Sequence, residues 1–525
     1  MGSLSAEEVM RRAKCAWEIK ELWREQMQDA YALVFPSRNM YLEGRTPGDQ
    51  LNVNIFDSTL QASNINLANR LQAEYFPAFD EWMKVIPGVA FDAADIPVAQ
   101  KEEIQLQLEQ TNAVHRAAME VSNFDQVINE LLLDYGVGTG TMMVHEGDNI
   151  TPLQYTAVNP AQVAMGEGPH GVVWEYYRKH PILPRLVRPT WKNQGFDPPE
   201  GWDKWADAEE NNKEKIIIDE AVYFSPKDKK WYLVILGPSP SDVDSEQSMV
   251  KLVDKPMKNS IWLSPRWNKE AGEVWGRGPV LYALPDAKVL NKVKELILQN
   301  ASVTLFPPMT YVDDMDFNPA LFSMTPGYLN AVSQNGGPMG RSVEKLDIGG
   351  DLAMGQFILE ELRMNIKKLM LDDQLPPQTG AVRTPTEIIE RQKELQVSKA
   401  APFGRLNKEL IRPLAQMNLN ILAKKGLIDE IKIDGLIFDL QVLNPQAQVQ
   451  KEENVLKFER VAEIAANLNE TLPALTMKIE EAPKWAADQL GLTPKLMRSK
   501  AEIDQMQQMA AQVQQQQQEQ AAIGN

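Results

Sequence analysis

The residue types that carry chemistry are sparse in this chain and poorly spaced for it. A phosphate-cradling loop needs Gly-x-x-x-x-Gly-Lys-Ser/Thr, so that backbone amides wrap the phosphates and a lysine reaches them. No such string occurs. The run Gly136-Val-Gly138-Thr-Gly140 follows a helical pattern and precedes a strand-like one. A dinucleotide fingerprint needs the opposite order, so the run reads as a tight helix-to-strand turn. Gly349-Gly350 reads as the start of a helix. Carboxylates gather at Asp313, Asp314 and Asp316, and again at Asp372 and Asp373. Such oxygens suit a hard divalent cation, but the spacing fits no calcium loop, and solvated loops are expected at both places. His145-Glu146 has no second histidine nearby. Cys15, the one cysteine, lies in the first helical pattern and is expected to be buried or inert. One cysteine and four histidines (His115, His145, His170, His180) exclude a disulfide framework and thiolate zinc sites. Nothing assembles a nucleophile, a base and an oxyanion site. The expectation is a non-enzyme with no cofactor and no metal.

The elements that would position such groups are ordinary globular ones. A length of 525 residues suggests three or four domains. Apolar residues make up 43% and charged residues 24%, which excludes disorder of the whole chain. Basic residues number 54 and acidic ones 72, a net charge of −18, which argues against a basic face that grips nucleic acid. No apolar run reaches the ~18 residues of a membrane span. The polar N-terminus does not read as a signal peptide, and the expected location is a reducing cytoplasm.

Residues 5–35 read as one long helix, with Ser5-Ala6-Glu7-Glu8 as a capping box. Helical patterns follow over 57–76, 97–120 and 124–135, so 1–140 is mostly α. Over 141–265 the period changes. Segments 141–145, 172–177, 215–224 and 231–236 are rich in Val, Ile, Tyr and Trp, with a hairpin connection at 225–230. Residues 184–212 read as an irregular surface insertion. Helix returns over 286–301, with Val289, Leu290, Val293, Leu296 and Ile297 on one side. A strand over 302–312, broken by Pro307-Pro308, opens a small loop-rich β unit. A second helix, 351–371, has Leu352, Leu359, Leu362, Ile366 and Leu369 on one face. Helix, small β module and helix place the module at the tip of a two-helix stalk. Thr384, Pro385 and Glu387 then start a helix towards Lys425, kinked or broken at Pro402 and Pro413 and stopped by Gly426. A short strand pair, 431–433 with 436–440, is expected next. Helix follows from 450, and the Gln-, Met- and Ala-rich 505–520 reads as a frayed helix or disorder. The fold class is α+β, predominantly helical.

Several strings, taken in order, resemble one family. Asp57-Ser-Thr59, Leu67-Ala-Asn-Arg-Leu71, Tyr75-Phe-Pro77 and Trp82 are similar to the N-terminal helices of podovirus head-to-tail connectors, the portal proteins of these phages. Ser264-Pro-Arg-Trp267, Gly272-Glu-Val-Trp-Gly-Arg-Gly-Pro279 and Ala283-Leu-Pro-Asp286 resemble that family's approach to its first stem helix. Arg383-Thr-Pro-Thr-Glu387-Ile-Ile-Glu-Arg391 resembles its channel loop and the long helix behind it. The order agrees over about residues 5–500.

The resemblance implies a phage portal fold with wing, stem, clip and crown regions. The wing would be 1–278, with a return through 386–440. The stem helices would be 279–301 and 351–374, and the clip 302–350. The channel loop would be 375–385, including Thr379, Gly380, Ala381 and Val382. The crown would be 441–504, ahead of a Gln-rich tail, 505–525. It implies a homo-oligomeric ring, commonly of twelve subunits, at one vertex of the virion capsid. Its partners would be the major capsid protein and scaffold, terminase during packaging, tail adaptor and tail tube proteins, and double-stranded DNA, with no membrane. The ring would be a passive channel for packaging and ejection, with a separate terminase burning the ATP. A mostly acidic tube would repel phosphate and let the duplex slide, where a basic one would grip it. Lys288, Lys292, Lys294, Lys367 and Lys368 of the stem and Arg383 of the loop would give weak, non-specific DNA contacts. Their other reading is ion pairs between subunits. Two alternatives stand beside the portal: another structural component, such as an adaptor or internal core protein, and a packaging ATPase, which needs the nucleotide loop that is missing.

Overall fold

The computed structural model describes residues 3–41, 54–78, 81–88, 97–240, 249–305, 309–311, 343–345, 352–372, 404–431, 437–442, 455–464 and 482–489, with a few single positions besides. The chain divides into two compact units. The first is Met1–Gln72 with Ile96–Asp434, and the second is Ala73–Asp95 with Gly435–Asn525.

In the first unit, α1 (Ala6–Glu21) is capped by Ser5, whose hydroxyl accepts from the Glu8 amide at 3.3 Å. The Glu8 carboxylate does not reach back, because Arg11 and Arg12 take it in charge-assisted pairs. The expected single helix over 5–35 is two helices, turned at Leu22-Trp23 into α2 (Arg24–Val34). Neither proline nor glycine stands there. Instead the buried Lys20 ammonium donates to the carbonyls of Pro160, Ala161 and Val163, and the Arg277 guanidinium stacks on Trp23. These contacts on either side of the break set the turn. The remaining early helices are α3 (Thr59–Tyr75), α4 (Val98–Val121) and α5 (Phe124–Val137). The last is the most enclosed, with Ile128, Leu131 and Leu132 fully buried.

A five-stranded antiparallel sheet follows, in the order β4 (Val163–Glu167), β5 (Val173–Ile182), β6 (Ile216–Ser225), β7 (Lys230–Pro238), β8 (Met249–Met257). The two-residue period sorts its side chains. Tyr177, Ala221, Tyr223, Tyr232 and Val234 pack with Val9 and Ala16 of α1. Tyr176, Ile182, Ile218, Val222, Leu233 and Ile235 face a second core with Trp262 and Trp275. A smaller sheet, β3 (Leu153–Ala157), β2 (Met142–Glu146), β9 (Trp262–Leu263), lies against that core. The four expected strands are all present. The 184–212 stretch is not an irregular surface insertion. It forms α6 (Pro184–Trp191) and α7 (Trp202–Asp207), and Trp191 and Trp202 enter the second core at 3% and 0% exposure. Prolines and charges at the intervening positions masked a short apolar stripe.

Further on, α8 (Pro279–Leu305) continues through residues where a strand was expected. The strand shrinks to β10 (Met309–Tyr311), paired antiparallel with β11 (Val343–Lys345). α9 (Leu352–Leu369) returns and packs on α8. The long helix towards Lys425 is described from residue 404, with Pro402 outside the described residues. Pro413 does not break it. A π-turn (Asn407–Ile411) precedes α10 (Arg412–Lys424), and the Arg412 amide bonds the Asn407 carbonyl, five residues back. The wider turn gives the proline ring the room that a regular helix denies it. Gly426 stops α10 as expected, at φ +71°.

In the second unit, β1 (Met83–Pro87) pairs antiparallel with β12 (Phe438–Val442). Of the local pair expected over 431–433 and 436–440, the second strand is found on β1, and residues 432, 434 and 436 lie outside the described residues. Phe76 meets Trp82 edge-on at 5.0 Å. A helix over 455–464 and α11 (Ala482–Gln489) meet through Phe458 and Trp485, 5.3 Å between ring centres. Residues 505–525 lie outside the described residues.

Candidate functional site

The functional expectation falls on α8, α9 and the root from which α8 springs. At the root two glycine strings cross. A Cβ on Gly138 would lie 2.1 Å from the Gly276 carbonyl oxygen, and one on Gly278 would lie 2.3 Å from that of Gly136. No side chain fits in either gap. The Gly278 amide donates to the Val137 carbonyl and the Trp267 amide to the Gly138 carbonyl, each at 2.9 Å. The run 136–140 is thus the helix-to-strand turn read from sequence, and also the bed for Gly276-Arg-Gly-Pro279. Beside it the buried Arg266 clamps Glu409 of the π-turn, with Nη2 donating to Oε1 at 2.7 Å and Nε to Oε2 at 3.2 Å. One buried ion pair ties the approach to α8 to the start of α10.

Polar anchors then fix the helix pair. The Asp57 carboxylate, 4% exposed, accepts from Arg363 of α9 at 2.6 Å and Lys294 of α8 at 3.2 Å. Burial alone would push this carboxyl up. The Thr59 hydroxyl, then Arg363, the Thr59 amide and Lys294, outweigh it and hold the carboxyl at about 2. Asn291 of α8 accepts from the Phe56 amide at 2.7 Å and donates to the Asn54 carbonyl at 2.9 Å. α9 ends in a Schellman turn. Leu371 sits at φ +54°, and the Asp372 amide reaches the Lys367 carbonyl at 2.8 Å. The Asp372 carboxylate accepts from Arg70 at 2.6 Å, Ser63 at 3.0 Å and Asn66 at 3.1 Å. Asp372 was expected in a solvated loop and is buried instead, because three donors of α3 converge on it. Asp373, Asp313, Asp314 and Asp316 lie outside the described residues.

The cations of α8 and α9 expected to touch DNA divide into two groups. Lys288 pairs with Asp29 of α2, Lys294 with Asp57, and Lys292 with Glu295 of its own helix at 2.9 Å. Lys367 and Lys368 are exposed on the last turn of α9, and among the described residues neither meets a carboxylate. Arg383 and the loop residues Thr379, Gly380, Ala381 and Val382 lie outside the described residues. Of the apolar side expected on α8, Leu290 is buried while Val289 and Leu296 are half exposed. On α9, Leu359 and Ile366 are buried, whereas Leu369 is 42% exposed and Phe357 70%. Gly355 lies against Ile297, whose Cδ1 would be 3.0 Å from an added Cβ, so the two helices meet along one narrow seam. Sequence reasoning missed Arg70 and Arg363 as anchors, although Asp57-Ser-Thr59 carries a local signal, an aspartate two residues ahead of a helix start. Cys15, expected to be buried or inert, is exposed. Among the described residues no group of three or more His, Cys, Asp or Glu could hold a metal ion, and no helix is long and apolar enough to cross a membrane.

Among the described residues, the buried charges at this root serve as clamps between elements. The chain belongs to the family of bacteriophage head to tail connecting proteins, whose model it matches over residues 6–497. That places it at the head–tail junction of a phage particle, in a family of structural connectors rather than enzymes. No curated protein matches. Among solved structures, a chain from the neck of an empty GTA particle is similar at 11% identity. The likeness covers 86% of this chain and 96% of that one with a TM-score of 0.34, too slight to argue from.

Proposed function

We propose that copies of this chain close into a portal ring at one capsid vertex, and that α8 and α9 line a passive channel for double-stranded DNA during packaging and ejection. The match to the connector family across 6–497 carries this reading. Apolar side chains that one copy leaves in water add support. Leu296 and Leu298 of α8 are about half exposed, and Phe357 and Met364 of α9 are 70% and 64% exposed. Such faces are those that a neighbouring copy covers in a ring. The net charge of −18 suits a wall that does not hold phosphate. Lys367, Lys368 and Arg383 supply its weak contacts, whereas Lys288 and Lys294 act as anchors within the subunit. The 302–350 segment serves as the clip that meets terminase and then the tail adaptors, and the wing contacts the capsid protein and scaffold. Assembly takes place in the host cytoplasm. Image averaging of the purified full chain tests the reading. A closed cyclic ring with an axial hole about one duplex wide is expected; a stable single copy, a solid globule or a filament would overturn it.

A further inference from the structure

Four apolar residues of α8, Tyr282, Val289, Leu296 and Val303, follow one another at steps of seven. On an α-helix such a series drifts by only about 20° per step, so the four form one stripe. They are 45%, 50%, 51% and 38% exposed in turn. On α9, Phe357 and Met364 repeat the same step and are more exposed still. Each series holds a charge three residues after an apolar member and four before the next. Lys292 stands between Val289 and Leu296, and Glu360 between Phe357 and Met364, both exposed. The two helices thus carry one pattern, apolar, charged, apolar at i, i+3 and i+7, with opposite signs at its centre.

The two stripes do not meet within one chain. The α8–α9 seam runs through Ile297 against Gly355, with Leu359 and Ile366 buried. Phe357 and Met364 lie about half a turn round α9 from it, and Val289 and Leu296 lie about 100° round α8 from Leu290 and Ile297. The seam also sets heights. The helices are antiparallel, with Ile297 beside Gly355 and with Lys294 and Arg363 on the Asp57 carboxylate. At equal rise per residue, Leu296 stands level with Phe357, Lys292 with Glu360 and Val289 with Met364, each to within about one turn. Rotation about a ring axis leaves heights unchanged, so with the helix pair upright the two patterns arrive at the same level in neighbouring copies. Within the chain Lys292 pairs with Glu295, an exposed contact of little strength that leaves the ammonium able to take a second carboxylate.

We propose that α8 of each copy packs antiparallel on α9 of the next, with Leu296 against Phe357, Val289 against Met364, and Lys292 paired with Glu360. The inference rests on the ring reading and adds to it the two faces that meet. Charge selects this pairing. Antiparallel packing of two i, i+3, i+7 patterns brings their central charges to the same edge of the seam. Like stripe on like stripe would set Lys292 against Lys292 or Glu360 against Glu360, which repulsion disfavours. Unlike stripes meet head to tail, the contact that closes rings rather than pairs.

Cross-linking of the full chain, with Cys15 replaced by Ser, tests the contact. Leu296→Cys and Phe357→Cys in one chain are expected to give a ladder of covalent multimers on a non-reducing gel after mild oxidation, and either alone to give none. Charge exchange tests the centre. Lys292→Glu or Glu360→Lys should raise the concentration needed for half assembly by about tenfold, and the two together should restore it. Covalent dimers from a single cysteine variant would show like meeting like and overturn the proposal. So would rings seen by image averaging without a ladder, or a double charge exchange no better than the singles; the ring reading would survive both. A native chain that forms no closed assembly would end the two together.

Discussion

Asp57 holds two helices through one buried carboxylate, and its loss is felt at both. Asp57→Ala removes three charge-assisted bonds, two from Arg363 and one from Lys294, and two bonds from Thr59. We expect a loss of about 2–3 kcal/mol, read from the urea midpoint. His115 governs a different property. Its Nε2 lies 3.2 Å from the Asn418 amide nitrogen, and the Asn418 carbonyl oxygen accepts from the Tyr155 hydroxyl at 2.9 Å. Asn418 thus donates to the imidazole, which must stay neutral, and burial lowers it to about 4. Between pH 6.5 and 4 the unfolded chain takes up a proton that the folded one refuses. The stability is present above about 6.5 and is lost as pH falls through 4, by about 3 kcal/mol. His115→Gln should flatten the stability–pH slope in that window by one proton, measured by thermal unfolding across the range. An unchanged slope would show that His115 titrates freely. Neither role was legible in the sequence, since Asp57 meets its partners 237 and 306 residues away and His115 meets Asn418 at 303.

Element boundaries were legible where their cause is local. Ser5 caps α1, Gly426 ends α10, and the Val-, Ile- and Tyr-rich runs became strands. They were illegible where the cause is tertiary, as at the Leu22-Trp23 break and in the partner chosen by β12. The glycines of the root lie between these cases. Their number marked a turn, but not that two backbones pass each other there. Gly138→Ala would press a methyl against the Gly276 carbonyl oxygen at 2.1 Å, an overlap only backbone movement relieves. We expect a loss above about 3 kcal/mol or failure to fold, read by circular dichroism and expression yield. Leu371 offers the opposite sign. A leucine at φ +54° costs about 1–2 kcal/mol. Leu371→Gly should therefore be neutral or up to about 1 kcal/mol stabilising, after the added freedom of the unfolded chain. Leu371→Val should destabilise, and denaturant melts of the two variants side by side separate these outcomes.

At the scale of the whole molecule, the proposed channel rests on charge. Reversing Lys367 and Lys368 together to Glu, or Arg383 to Glu, should leave the assembly intact while lowering DNA retained per particle. Packaged DNA mass and its leakage measure this; unchanged values in all variants would remove these residues from the wall. The strings that carried the resemblance (Asp57-Ser-Thr59, Arg70 within Leu67–Leu71, Ser264–Trp267 and Gly276–Pro279) also supply the clamps around α8 and α9. The second unit has a consequence for synthesis. Its strand β1 ends at Pro87 and waits for β12, which begins at Phe438. At ~5–20 residues per second the ribosome needs about 20–70 s to make the stretch between them. During that interval each nascent chain carries an unpaired edge. On a crowded polysome that edge can meet the finished β12 of a neighbouring copy, so exchange of this strand between copies is the assembly error the topology invites.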